Sequence, residues 1–160
     1  MDLQTIKAKL QNIKGGEFFC VVYQKEVNVN DKTYKKVAHG SFRLVNYANI
    51  KGVEVKGKTN PNEKKDDECN YVKYNEKTKN TLVTFATTTN KTKTKYYEVG
   101  YGEIDRDTFL KETKARKPRM DQNGNVIVSP VVNLNIKDIL FIGSAFEKAM
   151  FLQQFPEYAL

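Results

Sequence analysis

Lys91, Lys93 and Lys95 alternate with Thr92 and Thr94. On a β-strand this spacing puts the three ammonium groups on one face, about 6–7 Å apart. That is roughly the separation of successive phosphates in an extended single strand of nucleic acid. Tyr97 and Tyr101 are expected to continue the same face, where their rings would offer stacking surfaces worth ~1–3 kcal/mol per base. A second basic cluster follows in Lys111, Lys114, Arg116, Lys117 and Arg119, within a polar, basic segment over 111–125 that could flank the strand as an arm. The competing explanation of the Lys/Thr alternation is a solvated strand face whose lysines discourage edge-to-edge pairing.

Other chemistries find little support. His39 is the single histidine and precedes Gly40 without a nucleophile motif, so it reads as a structural or surface residue rather than part of a triad or metal site. The sequence lacks G-x-G-x-x-G, and its one stretch spaced as G-x-x-x-x-G-K-[ST], Gly52–Thr59, runs from an expected strand into the expected exposed loop over 57–68 rather than into the helix that a phosphate loop opens. Gly100-Tyr101-Gly102 is too short to cradle a phosphate and is expected to end a strand. Zinc requires clustered Cys and His, which the sequence lacks. Asp105-Arg106-Asp107 could offer two carboxylates to a divalent cation. The spacing serves a helix start better: Asp105 as N-cap, Asp107 in a first turn that favours negative charge. Asp66-Asp67-Glu68 adjoins Lys64-Lys65 and reads as a solvated charge run. The expectation is a non-enzymatic protein with no cofactor and no metal. A catalytic site would need a pocket gathering His39 with Asp or Glu.

The elements that must position these residues belong to a chain of 160 residues, 39% hydrophobic and 29% charged, the size and composition of one globular domain spanning 1–160. The net charge is +8. Its positive excess lies in 1–95 and 111–119, whereas 96–110 and 120–160 are net acidic. A basic balance favours polyanionic partners. The 23 Lys, 4 Arg and 15 Asn are typical of AT-rich genomes and suggest a phage, plasmid or low-GC bacterial origin. Cys20, within the apolar run FFCVVY, reads as a small buried hydrophobe; with Cys69 it makes no disulfide framework. A reducing compartment, the cytoplasm of the cell or of a phage host, is therefore expected. Residues 1–16 have no signal-peptide apolar region, and no stretch approaches the ~18 apolar residues of a membrane span.

Leu3, Ile6, Leu10 and Ile13 recur at helical spacing, with Asp2 as cap and Gly15-Gly16 as terminator. Strands are expected at 17–29, 33–47 and 50–56, then an exposed loop over 57–68, and a meander at 69–75, 80–89 and 91–101. A helix over 105–114 follows, then an Asp121–Gly124 turn, a strand at 126–129 broken by Pro130, and a strand from 131 to 142. Ser144-Ala-Phe-Glu147 has capping-box form and predicts a helix over 145–155, stopped by Pro156. That last segment carries Phe146, Met150, Phe151, Leu152, Phe155, Tyr158 and Leu160, so it needs more than one neighbour: it is a core helix or it docks on a partner.

Seven or so short strands with helices at the ends predict an α+β domain on a small antiparallel β-barrel or strongly twisted sheet, OB-like or SH3-like, with short N- and C-terminal helices. The functional expectation is a single-stranded DNA- or RNA-binding protein of replication-accessory type, using Lys91, Lys93, Lys95, Tyr97, Tyr101, Lys114, Arg116, Lys117 and Arg119. The alternative is a protein-interaction module, such as a phage-encoded inhibitor of a host protein or a small virion component, acting as a homo-oligomer or with a protein partner through the C-terminal helix.

Overall fold

A computed structural model describes residues 1–13, 17–44, 71–88, 92–115, 119–126 and 131–160. The sheet is built outward from one hairpin. β1 (Phe19–Val29) and β2 (Lys32–Arg43) pair antiparallel along their whole length, from Phe19↔Phe42 to Val29↔Lys32. Asn30 and Asp31, with φ of 50° and 64°, make the two-residue turn. Left-handed conformations at both positions match the twist of the flanking strands, and Asn and Asp tolerate them.

With one edge of β2 filled by β1, the other edge is shared. β5 (Lys93–Glu98) pairs with Tyr34–His39, and β4 (Asn80–Thr87) pairs with Phe42 and Arg43. β4 also carries β3 (Tyr71–Asn75) and β7 (Val131–Asn135), while β5 carries β6 (Gly102–Ile104) through a turn in which Gly100 has φ +91°. β8 (Ile139–Gly143) closes on the outer edge of β1. Among the described residues the result is an eight-stranded antiparallel sheet curled into a half-barrel. Three α-helices among the described residues complete it: α1 (Leu3–Gln11), α2 (Arg106–Thr113) and α3 (Ala145–Gln154).

Two apolar clusters fill the inner face. The larger joins Phe19, Val21, Phe42, Val83, Phe85, Leu134, Ile139 and Ile142 to Ile6 and Leu10 of α1. Phe42 stacks on Phe85 at 5.6 Å, and Phe19 meets Phe85 edge-on at 5.3 Å. The smaller cluster, Tyr34, Tyr96 and Phe109, holds α2 against the far half of β2. The helix starts are capped as their residues imply. Asp2 and Asp105 accept from the amides of Thr5 and Thr108, each at 2.7 Å, and Ser144 and Glu147 close a reciprocal capping box.

Three sequence expectations need correction. The run from 131 to 142 is two strands, because a 3-10 turn at Ile136–Asp138 interrupts it. Asn135 accepts from the Lys137 amide at 3.0 Å, and the turn carries the chain from the edge of β4 to the edge of β1. Cys20 is a free, half-buried thiol on the outer side of β1, opposite Gly143, rather than a core residue. Finally, the strand expected over 91–101 ends at Glu98. Of the strand expected at 126–129 only Val126 is among the described residues, in an isolated bridge with Met120. Residues 50–56, the loop 57–68, Gly15-Gly16 and Cys69 lie outside the described residues.

The shared strand depends on Gly40. A β-carbon built there would collide with the ring of Phe42, which folds back over the glycine. Gly40→Ala therefore has to displace a ring packed between Phe19 and Phe85, and overpacking of this kind costs ~1–3 kcal/mol. Urea unfolding should show a lower midpoint with unchanged slope. A midpoint equal to that of the unaltered chain would show that Phe42 has room to move.

Candidate nucleic-acid interface

Directly paired residues of neighbouring strands point to the same side of a sheet. Phe19, Val21, Tyr34, Ala38, Phe42 and Tyr96 point inward. Their alternates must point out, and the register assembles them row by row. Glu26, Lys35, Tyr97 and Glu103 form one row; Gln24, Val37 and Lys95 the next; Val22, His39 and Lys93 the third. The structure thus brings Lys93, Lys95 and Tyr97 together on the outer face, as the alternation predicts, and adds Lys35, which belongs to a strand some sixty residues earlier.

The face is not uniformly positive. Lys95 pairs with Glu103 across the β5–β6 hairpin at 3.7 Å. An exposed pair of this sort is worth only about 0–1 kcal/mol, so the glutamate lowers the local potential without locking the lysine. Lys93 is exposed.

α3 borders the face on its β8 side. Phe151 stacks on Phe141 at 5.2 Å and on Tyr158 at 6.0 Å, covering outward-facing Val22 and Phe141, both buried. The 3-10 turn after α3, Pro156–Tyr158, reaches His39. The His39 Nε2–H donates to the Tyr158 carbonyl at 2.7 Å, which assigns the proton to that nitrogen in the neutral ring. Burial holds the His39 pKa below its ordinary value of 6.5, and the charges of Lys148 and Lys93 push the same way, against the raising effect of the hydrogen bond. Lys148 of α3 therefore shares the electrostatic neighbourhood of Lys93. No residue of α3 is fully buried, and Phe146 and Met150, one turn apart, are 76% and 55% exposed.

Other expected site residues fall elsewhere. Tyr101 sits in the turn between β5 and β6, 83% exposed, and does not extend the strand face. Lys114, the C-cap of α2 with φ +53°, lies on the other side of the sheet, because α2 packs on inward-facing Tyr34 and Tyr96 through Phe109. Arg119 is exposed beside the Met120–Val126 bridge. Lys91, Arg116 and Lys117 lie outside the described residues.

Sequence reasoning also missed the far end of the outer face. Arg43, alternating with inward Phe42, places its guanidinium 4.1 Å from the ring centroid of Phe18. The signal was present in the alternation Phe42-Arg43, but the partner ring comes from across the β1–β2 hairpin. Among the described residues no group of three His, Cys, Asp or Glu side chains could hold a metal. The Asp105 carboxylate is occupied by the α2 amides, which lower its pKa. No helix among the described residues is long and apolar enough to cross a membrane.

The depressed His39 pKa has a definite linkage sign. The unfolded chain takes up a proton near pH 6.5 before the folded chain does. The stability contributed by neutral His39 is complete above that pH and is lost as pH falls through the folded value. Urea unfolding between pH 7.5 and 5 should show a decline in the unaltered chain that is reduced in His39→Gln, which keeps a donor for Tyr158. Equal declines in both would exclude His39 as the source. Asp138, whose pKa is raised by burial, acts with the opposite sign and is common to both chains.

Comparison of the chain with protein-family models, curated proteins and solved structures finds no match, so the functional reading rests on this geometry.

Proposed function

We propose that the chain is a non-enzymatic nucleic-acid-binding protein that takes single-stranded DNA or RNA on the outer face of β2 and β5. One observation carries the reading: the β2–β5 register gathers Lys35, Lys93 and Lys95 beside Tyr97 on one face of the sheet, with Lys148 of α3 near enough to act on His39, which pairs with Lys93. Lysines on neighbouring rows can follow a phosphate backbone, and the tyrosine ring supplies a surface for an unpaired base. The Lys95–Glu103 pair is weak enough for a phosphate to replace the carboxylate. Base identity is read poorly, because among the described residues the face has one arginine, Arg43, for bidentate contacts. OB-like and SH3-like barrels are the finer fold assignments that suit this use, since OB-folds bind oligonucleotides on curved strand faces.

A second reading is favoured by a separate observation. Phe146 and Met150 form an apolar stripe on the open side of α3, as a protein-interaction module would present to a partner or a second copy. It predicts that Phe146→Ser with Met150→Ser reduces particle mass in light scattering and leaves oligonucleotide affinity unchanged.

Fluorescence anisotropy with a labelled single-stranded oligonucleotide across a salt series tests the first reading. Neutralising Lys35, Lys93, Lys95 and Lys148 at about −0.7 per phosphate gives a log–log slope of roughly −2 to −3. Lys93→Gln with Lys95→Gln should flatten that slope by about one unit without moving the thermal melt. Tyr97→Ala should weaken binding at constant slope, since stacking releases no counterions. Absence of binding at low salt overturns the reading. Equal affinity for duplex, with Tyr97→Ala silent, reduces the face to a general polyanion surface.

A further inference from the structure

We propose that Phe18 and Arg43 form a second base-stacking platform at the opposite end of the outer face from Tyr97, so that a bound strand runs along β2 from one platform to the other. This rests on the nucleic-acid reading of that face and extends it to residues outside the lysine cluster.

Parity establishes the placement. Lys35, Val37, His39, Ser41 and Arg43 alternate with inward Tyr34, Ala38 and Phe42, and the β1–β2 register is unbroken throughout. Phe18 precedes Phe19, the residue opposite Phe42, and its ring lies under the Arg43 guanidinium at 4.1 Å. Both therefore occupy the face that carries Lys93, Lys95 and Tyr97. Phe18 belongs to neither apolar cluster and is 52% exposed, although Phe19, its neighbour, is a central core ring.

The chemistry suits an unpaired base followed by a phosphate. A guanidinium plane stacks on aromatic faces while its N–H groups remain available to a phosphate oxygen, which a lysine ammonium cannot do. The pair thus presents a flat, cation-backed surface. Lys35 and Arg43 are eight positions apart on β2, which spans roughly 26 Å at the rise of a strand. An extended single strand of about four nucleotides covers that distance, within the range bound by small single-strand modules. The lysines of β5 lie between the two platforms. A duplex, whose bases are already stacked and paired, has nothing to offer either ring. The preferred ligand is accordingly single-stranded, at least about four nucleotides long and unrestricted in sequence.

Photocrosslinking tests this on the full chain. An oligothymidylate of about twelve nucleotides, substituted with 5-iodouracil, is irradiated in complex, and adducts are located by mass spectrometry. Adducts at both Phe18 and Tyr97 are expected. In anisotropy, Phe18→Ala should weaken binding about ten-fold at unchanged salt slope, and Arg43→Gln should flatten the slope by about 0.7. Phe18→Leu keeps the apolar bulk without the ring. It should melt like the unaltered chain and bind like Phe18→Ala, which separates stacking from folding. An adduct at Tyr97 without one at Phe18, together with full affinity in Phe18→Leu, overturns the second platform and leaves the lysine face standing. Absence of binding and of adducts overturns both.

Discussion

Each strand has two edges and two faces, and β2 uses all four. Its first edge is filled by β1 for eleven consecutive pairs, and its second is divided between β5 and β4. Its inner face supplies Tyr34 to one apolar cluster and Ala38 and Phe42 to the other, while its outer face carries Lys35, His39 and Arg43. Such use is possible only if alternation runs unbroken from Lys32 to Arg43, since a slip of one residue would exchange the two faces. The division point is Gly40-Ser41, between the last pair with β5 and the first with β4. There the glycine lets Phe42 lie back across the strand, and the Ser41 carbonyl accepts the Thr88 hydroxyl at 3.0 Å. The backbone acceptor exposed by the parting of β4 from β5 is thereby satisfied, as a buried carbonyl requires.

Much of this was legible in the residues because it is local. Asp2, Asp105 and the Ser144–Glu147 box mark helix starts through bonds that span three residues, and short-range signals of that kind need no tertiary context. The Lys/Thr alternation placed Lys93 and Lys95 on one face for the same reason. What was not legible depends on pairing over long separations. Nothing in the run 33–47 announces that Lys35 will stand opposite Tyr97, or that Arg43 will meet Phe18. The expected strand from 131 to 142 is two strands because apolar runs flank Ile136–Asp138 with neither Gly nor Pro between them to mark a break, while Asn135 turns the backbone by capping it. Tyr101 was misplaced by extending parity past Glu98 into a glycine-bearing turn, where the two-residue period no longer applies.

Charge is distributed between the faces in a way the total of +8 conceals. On the inner side of the sheet, exposed Lys25 stands directly opposite half-buried Lys36, which pairs in turn with Tyr96. Like charges facing each other are unfavourable in a sheet, and the exposure of Lys25 to solvent weakens the repulsion in this row. Asp138 lies close enough to Lys25 for the lysine to oppose the rise in its pKa caused by burial. Outside, Glu103 and Glu26 share the row of Lys35 and Tyr97. Acidic neighbours restrain the lysines of the outer face without removing them.

The C-terminal segment links packing to that field. Phe151 and Tyr158 cover Phe141 and Val22, which are outward residues that would otherwise leave an apolar strip on the sheet. The same docking brings the Tyr158 carbonyl to His39 and Lys148 into the electrostatic reach of Lys93. A neutral His39 satisfies the carbonyl and adds no repulsion, whereas a charged one would stand among two lysines in a partly desolvated site. The helix that borders the outer face is therefore held by a contact whose charge state is set first by burial and then by the lysines beside it. Burial is the main cause of the depressed His39 pKa and the lysine charges add to it, so an anion placed at Lys93 and Lys148 would offset that lesser part, and its binding and protonation of His39 would favour each other.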